Sequence, residues 1–460
     1  MNHPPVMARL KTSVPDLVWP AVPSPTAAAL IAQLFQLEQT QWLSAHALLE
    51  RQLAQLGQVT AHAYRHSPYY RQLFDQCGIG ANEVWSEEKL GSVPLLTRQA
   101  LLERGASINC SVIPQAHEPS QSVQTSGATG QIVEVRRTAI NDLMWMALTL
   151  RDHFWHQRDF MQTAAFVRAN AKVQDDDAMA KKEGWGAPVS LLFESGPGYR
   201  QPLSLSVSEQ ATWLLRRNAF YLLTYPTNLS ALLDEFGKMG RFPSQLKEVR
   251  TVGETFSASL KARCEDDFRL RTVDVYSAQE VGAIALQCPV SGLYHVQAES
   301  LLVEVLTDGG GPCREGEVGR VVVTDLHNFA TPIIRYEIRD YAEVGGVCSC
   351  GRGLPTLKRI LGRRRNMVTL PDGSRHWPTV GRHAFREIAR IRQYQAIQHS
   401  VDMVEIKLVV DAPLTGEQET LLRTTIQNAL GYPFALRFSY HDAELPKTRG
   451  GKFEEFISMV

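Results

Sequence analysis

The sequence predicts an α/β fold in two parts, a large N-terminal domain and a small α+β unit after it. Two observations carry this expectation. Strand-like runs such as TVDVYS at 272–277, SLLVEVL at 300–306 and GRVVVTDL at 319–326 occur with helical stretches such as NLSALLDEFGKM. Alternation of strand with helix is the pattern of α/β architectures. After Gly362 the character changes: HAFREIARI, VEIKLVV and QETLLRTTIQNAL suggest a separate α+β unit of about a hundred residues. A length of 460 residues also exceeds what one compact core usually covers.

The elements follow in chain order. Residues 1–33 are expected to form a loosely ordered leader, because MNHPPVMARLKTSVPDLVWPAVPSP is broken by prolines. From Ala27 to about Arg65, apolar residues recur at helical spacings. HSPYY predicts a turn, and VPLLTRQALLE predicts an extended entry with Thr97 capping the next helix. LMWMALTLRDHFW, Leu143 to Trp155, predicts an apolar helix packed on a sheet. Residues 171–188 are charged and contain glycine, so a surface loop is expected there. The large domain is placed at 34–361 and the small one at 362–460.

Composition narrows the function classes. The chain is 44% hydrophobic and 21% charged, as soluble globular proteins are. Lys plus Arg (48) balance Asp plus Glu (48), which gives no electrostatic reason to expect nucleic acid or an acidic membrane as partner. No apolar run reaches the roughly 20 residues that span a bilayer, and the prolines interrupt any signal-peptide core. A cytoplasmic protein is expected. Seven cysteines, unevenly spread, fit metal binding better than disulfides in a reducing compartment.

VQTSGATGQIVEV, Val123 to Val135, is a run of small and hydroxylated residues between apolar segments. Gly127 and Gly130 allow backbone conformations in which successive amides point inward, and Thr125, Ser126 and Thr129 add hydroxyls. The run lacks the Gly-Lys-Ser/Thr ending of the common nucleotide loop. IVEV alternates like a strand, so the loop is expected to join two strands. Read alone, it is either a phosphate-holding loop or an ordinary turn.

The loop resembles the phosphate-binding signature of the adenylate-forming enzymes, S/T-S-G-T-T-G-K-P. Here Ala128 replaces a Thr, Gln131 the Lys and Ile132 the Pro. Four further segments match in order. VYSAQEVGA resembles the motif with an aromatic residue near adenine, here Tyr276 followed by Ser277, and a magnesium-holding Glu, here Glu280. TPIIRYEIRDYAEVG resembles the motif whose Asp grips the ribose, here Asp340, with Arg339 where the family usually has Gly. LGRRRNM resembles the interdomain hinge: Gly362 and Arg363 fit, and Arg365 replaces the hinge acid. LPKTRGGKFEEF matches the terminal signature and places the catalytic lysine at Lys452. AYRHSPYYRQLFDQCGI, VPLLTR and CSCGRGLPTLKRILGR resemble the phenylacetate–CoA ligases within that superfamily.

The resemblance implies a large, multi-sheet N-terminal adenylate-forming domain and a small, mobile C-terminal domain. It implies ATP and Mg2+ as cofactors and a small carboxylic acid, aromatic by subfamily, as substrate. The acyl-adenylate would pass to CoA; an amine or a carrier-protein thiol is the alternative acceptor, and a scaffold without catalysis is a third reading. A homodimer is the candidate oligomer. Lys452 would bridge the carboxylate and the α-phosphate, which otherwise repel each other. Glu280 would hold Mg2+, and Asp340 would position the nucleotide. Arg339, Arg363 or Arg365 could supply the charge lost at Gln131. Trp145, Phe166 and Tyr225 could line an acid pocket or belong to the core.

Cys288 and His295, separated by six residues, and Cys348 and Cys350, separated by one, make a candidate tetrahedral zinc set. Four protein ligands would close the shell, so the zinc would be structural. Buried or incidental thiols are the competing reading, and Cys313 or His327 could replace His295. Cys77, Cys110 and Cys264 read as ordinary thiols.

Overall fold

The structure, a computed structural model, describes residues 9–124, 133–169, 171–363, 366–376, 378, 385, 388–443, 445–446, 453 and 455–460. Helices come first. Pro25–Thr40 and Ala45–His66 are each capped by a serine hydroxyl, Ser24 and Ser44. The first of these begins inside the 1–33 segment, and Ala27 and Leu30 are buried in it. The turn expected at HSPYY is a single residue, Ser67, which ends one helix and caps the next, Pro68–Gln76. Thr97 caps Arg98–Ile108 as expected, accepting from the Ala100 amide at 3.1 Å.

An antiparallel hairpin follows, β1 (Ser120–Gln124) and β2 (Glu134–Thr138). The Gly/Thr/Ser loop joins these two strands, and its residues from Thr125 to Ile132 lie outside the described residues. The main sheet then begins with β3 (Ala164–Arg168), β4 (Gly198–Pro202), β5 (Tyr221–Thr224), β6 (Glu248–Val252) and β7 (Arg271–Ala278). It continues through β8 (Gly282–Gln287), β9 (Tyr294–Val296), β10 (Leu301–Leu306), β11 (Val318–Asp325), β12 (Tyr336–Val344) and β13 (Thr356–Arg363). Together they form an eleven-stranded sheet in the order β10-β11-β12-β13-β9-β8-β7-β6-β5-β3-β4. The β4-β3-β5-β6-β7 part is parallel. Pairings from β7 onward to β10 are antiparallel.

The helix Ala139–Trp155 packs on this sheet through Met144, Ala147 and Leu148, with Ala164 and Ala283 in the same cluster. Residues 171–188 are more than a surface loop. They contain the helix Asp177–Glu183, capped by Asp176, and bury Ala180 and Trp185. Its charged residues on an exposed short turn of helix hide the one buried face from a periodicity reading.

The small unit holds the hairpin β14 (Val368–Thr369) and β15 (Arg375–His376). Its four-stranded sheet has the order β18-β17-β16-β19, from β16 (Ile391–Gln398), β17 (Met403–Val410), β18 (Ala435–His441) and β19 (Phe456–Ser458). The helix Gly416–Leu430 covers it with Leu422, Ile426 and Leu430, which join Val404, Ile406 and Leu408 in a core of their own. A separate core is what an independently moving domain requires. None of the described helices is long and apolar enough to cross a membrane.

Candidate active site

The carboxyl ends of parallel strands are where α/β sheets present ligands, and here they open on a cavity of about 1800 Å3. That is more than one small ligand needs. Tyr276 and Ser277 stand near the end of β7, with Glu280 in the turn to β8, and all three line the cavity. β9 is short, pairs with β8 on one side, and on the other reaches only Thr356 and Leu357 at the start of β13. The far end of β13 is therefore not bonded to β9, and residues of β12 and β13 face Tyr276 there.

Asp340 on β12 lies opposite Arg363 on β13, with the ion pair at 4.0 Å. The Tyr276 hydroxyl donates to Asp340 Oδ2 at 2.9 Å. Burial, then the Asp340 carboxylate, holds the Tyr276 phenol well above its ordinary pKa, so it stays a donor. An aromatic face, an acid that accepts hydroxyls and a guanidinium are thereby gathered from three strands. Gly362 precedes Arg363 with φ +84°, and a Cβ there would lie 2.7 Å from Thr255 Oγ1. Glycine fits both constraints. Arg339 is exposed and takes φ 70°, the left-handed region where a glycine would be unstrained.

Glu280 is buried. Its Oε1 accepts from the Tyr336 hydroxyl at 3.4 Å and lies 3.5 Å from Arg98 Nη1. Arg98 and Tyr336 were not singled out from sequence, although both fall in quoted motifs. Their signal is Arg98 directly after the Thr97 cap and Tyr336 four residues before Asp340. Trp145, Phe166 and Tyr225 all line the cavity. Lys452 and Arg365, together with Thr125, Ser126, Gly127, Thr129 and Gly130, lie outside the described residues.

A second cluster sits after the Glu280 turn. Cys288, His295, Cys348 and Cys350 place their ligand atoms within 4.8 Å of one another. Cys348 Sγ is 3.6 Å from Cys288 Sγ, and Cys350 Sγ is 3.3 Å from His295 Nε2. A tetrahedron of Zn–S bonds near 2.3 Å has edges of about 3.8 Å, so the donor set fits zinc. His295 Nδ1 is 3.4 Å from the Leu354 carbonyl, which favours Nε2 as the lone-pair nitrogen. Burial pushes the Cys288 thiol up, but its contact with the His295 side chain and hydrogen bonding at Ser291 and Val290 outweigh burial and bring it down to about 5. Among the described residues, Cys313 and His327 are not in the group.

The cysteine loop also pins the N-terminal helices. Arg352 donates to Gln41 Oε1 at 2.7 Å and lies over the Trp42 and Trp155 rings. Gly353 approaches so closely that a Cβ would stand 1.7 Å from the Leu43 carbonyl oxygen. Gly353→Ala is expected to cost about 1–3 kcal/mol, because backbone must move to admit the methyl. Thermal denaturation checks this; an unchanged melting temperature would contradict the packing described.

The fold is the one that adenylate-forming ligases have. The chain superposes on a crystal structure of 2-hydroxyisobutyryl-CoA ligase in the postadenylation state, in complex with R3-HIB-AMP. The TM-score is 0.72, over 92% of this chain and 91% of that one, at 16% identity. By sequence, the chain is similar to phenylacetate-coenzyme A ligases. It is 25% identical over 390 residues to that of Thermus thermophilus, covering 80% of this chain and 82% of the relative. It is 22% identical over 353 residues to that of Escherichia coli, covering 73% and 75%. Residues 372–459 match the family model of the CapK C-terminal domain.

Proposed function

We propose that the protein activates a carboxylic acid with ATP and passes the acyl group to CoA. The observation that carries this is the convergence of Tyr276, Asp340, Arg363 and Glu280 on one cavity large enough for a nucleotide and an acid. In the first half-reaction a carboxylate oxygen attacks the α-phosphorus. The bond to the bridging oxygen breaks, and pyrophosphate leaves with its electron pair. In the second, the CoA thiolate attacks the acyl carbon and AMP leaves.

Each residue has a role in that scheme. Asp340 accepts the ribose hydroxyls, with Tyr276 beside the base and Arg363 fixing the carboxylate. The loop from Thr125 to Gly130, with Ser277, receives the phosphates. Glu280 holds Mg2+, which neutralises phosphate charge, and Arg98 adds a guanidinium beside it. An aryl acid is favoured by the relatives' names and by Trp145, Phe166 and Tyr225 on the cavity wall. The cysteine cluster holds a structural zinc. Its thiols, free of disulfides among the described residues, suit a reducing, cytoplasmic setting.

Glu280→Gln keeps the shape and removes the charge. It is expected to raise the Mg2+ concentration needed for half-maximal pyrophosphate exchange by at least about tenfold. A magnesium titration that superposes on the native curve would remove Glu280 from this role. The acceptor is tested by adding CoA, amines or a phosphopantetheinylated carrier to preformed acyl-adenylate. Thioester with CoA supports the proposal; product only with an amine or carrier would replace the second half of it.

A further inference from the structure

The two units of the chain meet at the end of β13, and a side chain bridges them there. Arg363 is the last residue of β13 and pairs with Asp340 on β12, so its backbone belongs to the main sheet. Val368 begins β14 and is buried in the core of the small unit. Asn366 stands between these two anchors. Its Oδ1 accepts from the Arg363 backbone N–H at 3.2 Å. Its Nδ2 donates to the Phe456 carbonyl at 2.7 Å. The first bond reaches back to the main sheet, and the second reaches β19 of the small unit.

Strand geometry explains why the Phe456 carbonyl is available. β19 runs parallel to β16, and the Ala396 N–H donates to the Glu455 carbonyl at 2.8 Å. Successive carbonyls of a strand point to opposite sides. That of Phe456 therefore points away from β16, where it meets Asn366. On the other side of the turn, Thr255 from the loop after β6 crowds the backbone at Gly362.

The bridge positions the tail that carries Lys452. Phe453, Glu455 and Phe456 line the same cavity as Tyr276, Asp340 and Arg363. Lys452 precedes Phe456 by four residues, a reach of at most about 14 Å. Fixing Phe456 against Arg363 therefore keeps the tail beside the residues of the nucleotide end. The second half-reaction makes the opposite demand. A CoA thiolate must reach the acyl carbon beside which the tail sits, so the tail has to withdraw. A swing of the small unit about residues 363–366 breaks the bond to Arg363.

We infer that Asn366 is a positioning residue, whose two bonds hold the small unit in the orientation for acid activation and part before acyl transfer. The inference rests on the acid-activating reading and adds the side chain that biases the two orientations. Asn carries an acceptor and a donor on one short side chain, which the bridge needs. Bonds made in only one of two orientations shift the balance between them by their net worth. Their loss depopulates the activating orientation and spares the other.

Asn366→Ala and Asn366→Asp test this in the full chain. ATP–pyrophosphate exchange, with phenylacetate as the probe acid, reads the first half-reaction. Thioester formation from preformed phenylacetyl-adenylate and CoA reads the second. Trypsin cleavage at Arg363–Arg365, identified by fragment mass, reads opening of the turn without any chemistry. Exchange is expected to fall at least about fivefold in both variants, while thioester formation does not fall. Cleavage at the turn is expected to quicken at least about threefold, because it follows the open population. Asp keeps the acceptor for the Arg363 N–H and loses the donor. A side chain that only capped the turn would therefore be replaced by Asp without loss. Native exchange and cleavage in Asn366→Asp, or equal loss of both half-reactions in either variant, would overturn the inference. Faster cleavage in both variants of a protein that exchanges with no acid would keep the bridge and sink the acid-activating reading. Exchange in the native protein, with cleavage unchanged in both variants, would do the reverse.

Discussion

Lys452→Ala is expected to lower ATP–pyrophosphate exchange at least about a hundredfold, the scale on which loss of a preorganised charge at a reacting centre is felt. The reason is electrostatic. A carboxylate and a triphosphate repel, and the first half-reaction brings an oxygen of one to the phosphorus of the other. An ammonium between them removes the repulsion and stabilises charge as it develops. Lys452 itself lies outside the described residues, but the chain on both sides is anchored. Leu445 is buried, with its amide bonded to Gln393 Oε1 at 2.7 Å. Phe456 pairs with Ala396 on β16. Phe453, the next residue in sequence, lines the cavity that Asp340 lines. Exchange unchanged in the variant would reject the assignment.

The second large effect concerns the cysteine cluster. The purified protein is expected to carry about one equivalent of zinc, and the Cys348→Ser/Cys350→Ser double variant to carry almost none. A metal present at a thousand times its dissociation constant stabilises the folded state by about 4 kcal/mol, so chelation should lower the melting temperature of the native protein. The variant's melting temperature should no longer respond to chelator. The ligands come from the turn after β8, from β9 and from the loop before β13, and that loop holds Gln41 and Trp42 through Arg352. Less than half an equivalent of zinc, unchanged by the double substitution, would contradict the clamp and return these residues to ordinary buried thiols.

What the sequence disclosed was local. β7, β10 and β11 were visible because apolar residues cluster over short runs, and Thr97 because a cap sits directly before a helical pattern. Tyr276, Asp340 and Arg363 were legible as motifs, and the structure adds that they touch. The pairing of Arg98 with Glu280 was not legible, because it joins residues far apart in the chain across a fold that no local period encodes. The same holds for Arg158 and Arg250, which meet at Asp152 only through the tertiary fold. Within 171–188 the charged face concealed a capped helix that buries Ala180. At Arg339 the departure from glycine was visible, and its consequence, a left-handed backbone held by a side-chain-bearing residue, needed coordinates.

The central claim is acid activation through an adenylate. The most direct measurement incubates the protein with ATP, Mg2+ and a panel of mono- and dicarboxylic acids in hydroxylamine, scoring hydroxamate alongside pyrophosphate exchange. The account predicts hydroxamate and exchange with at least one acid, both dependent on Mg2+ and both lost in Lys452→Ala. Neither product with any acid, from protein that binds ATP, would contradict it.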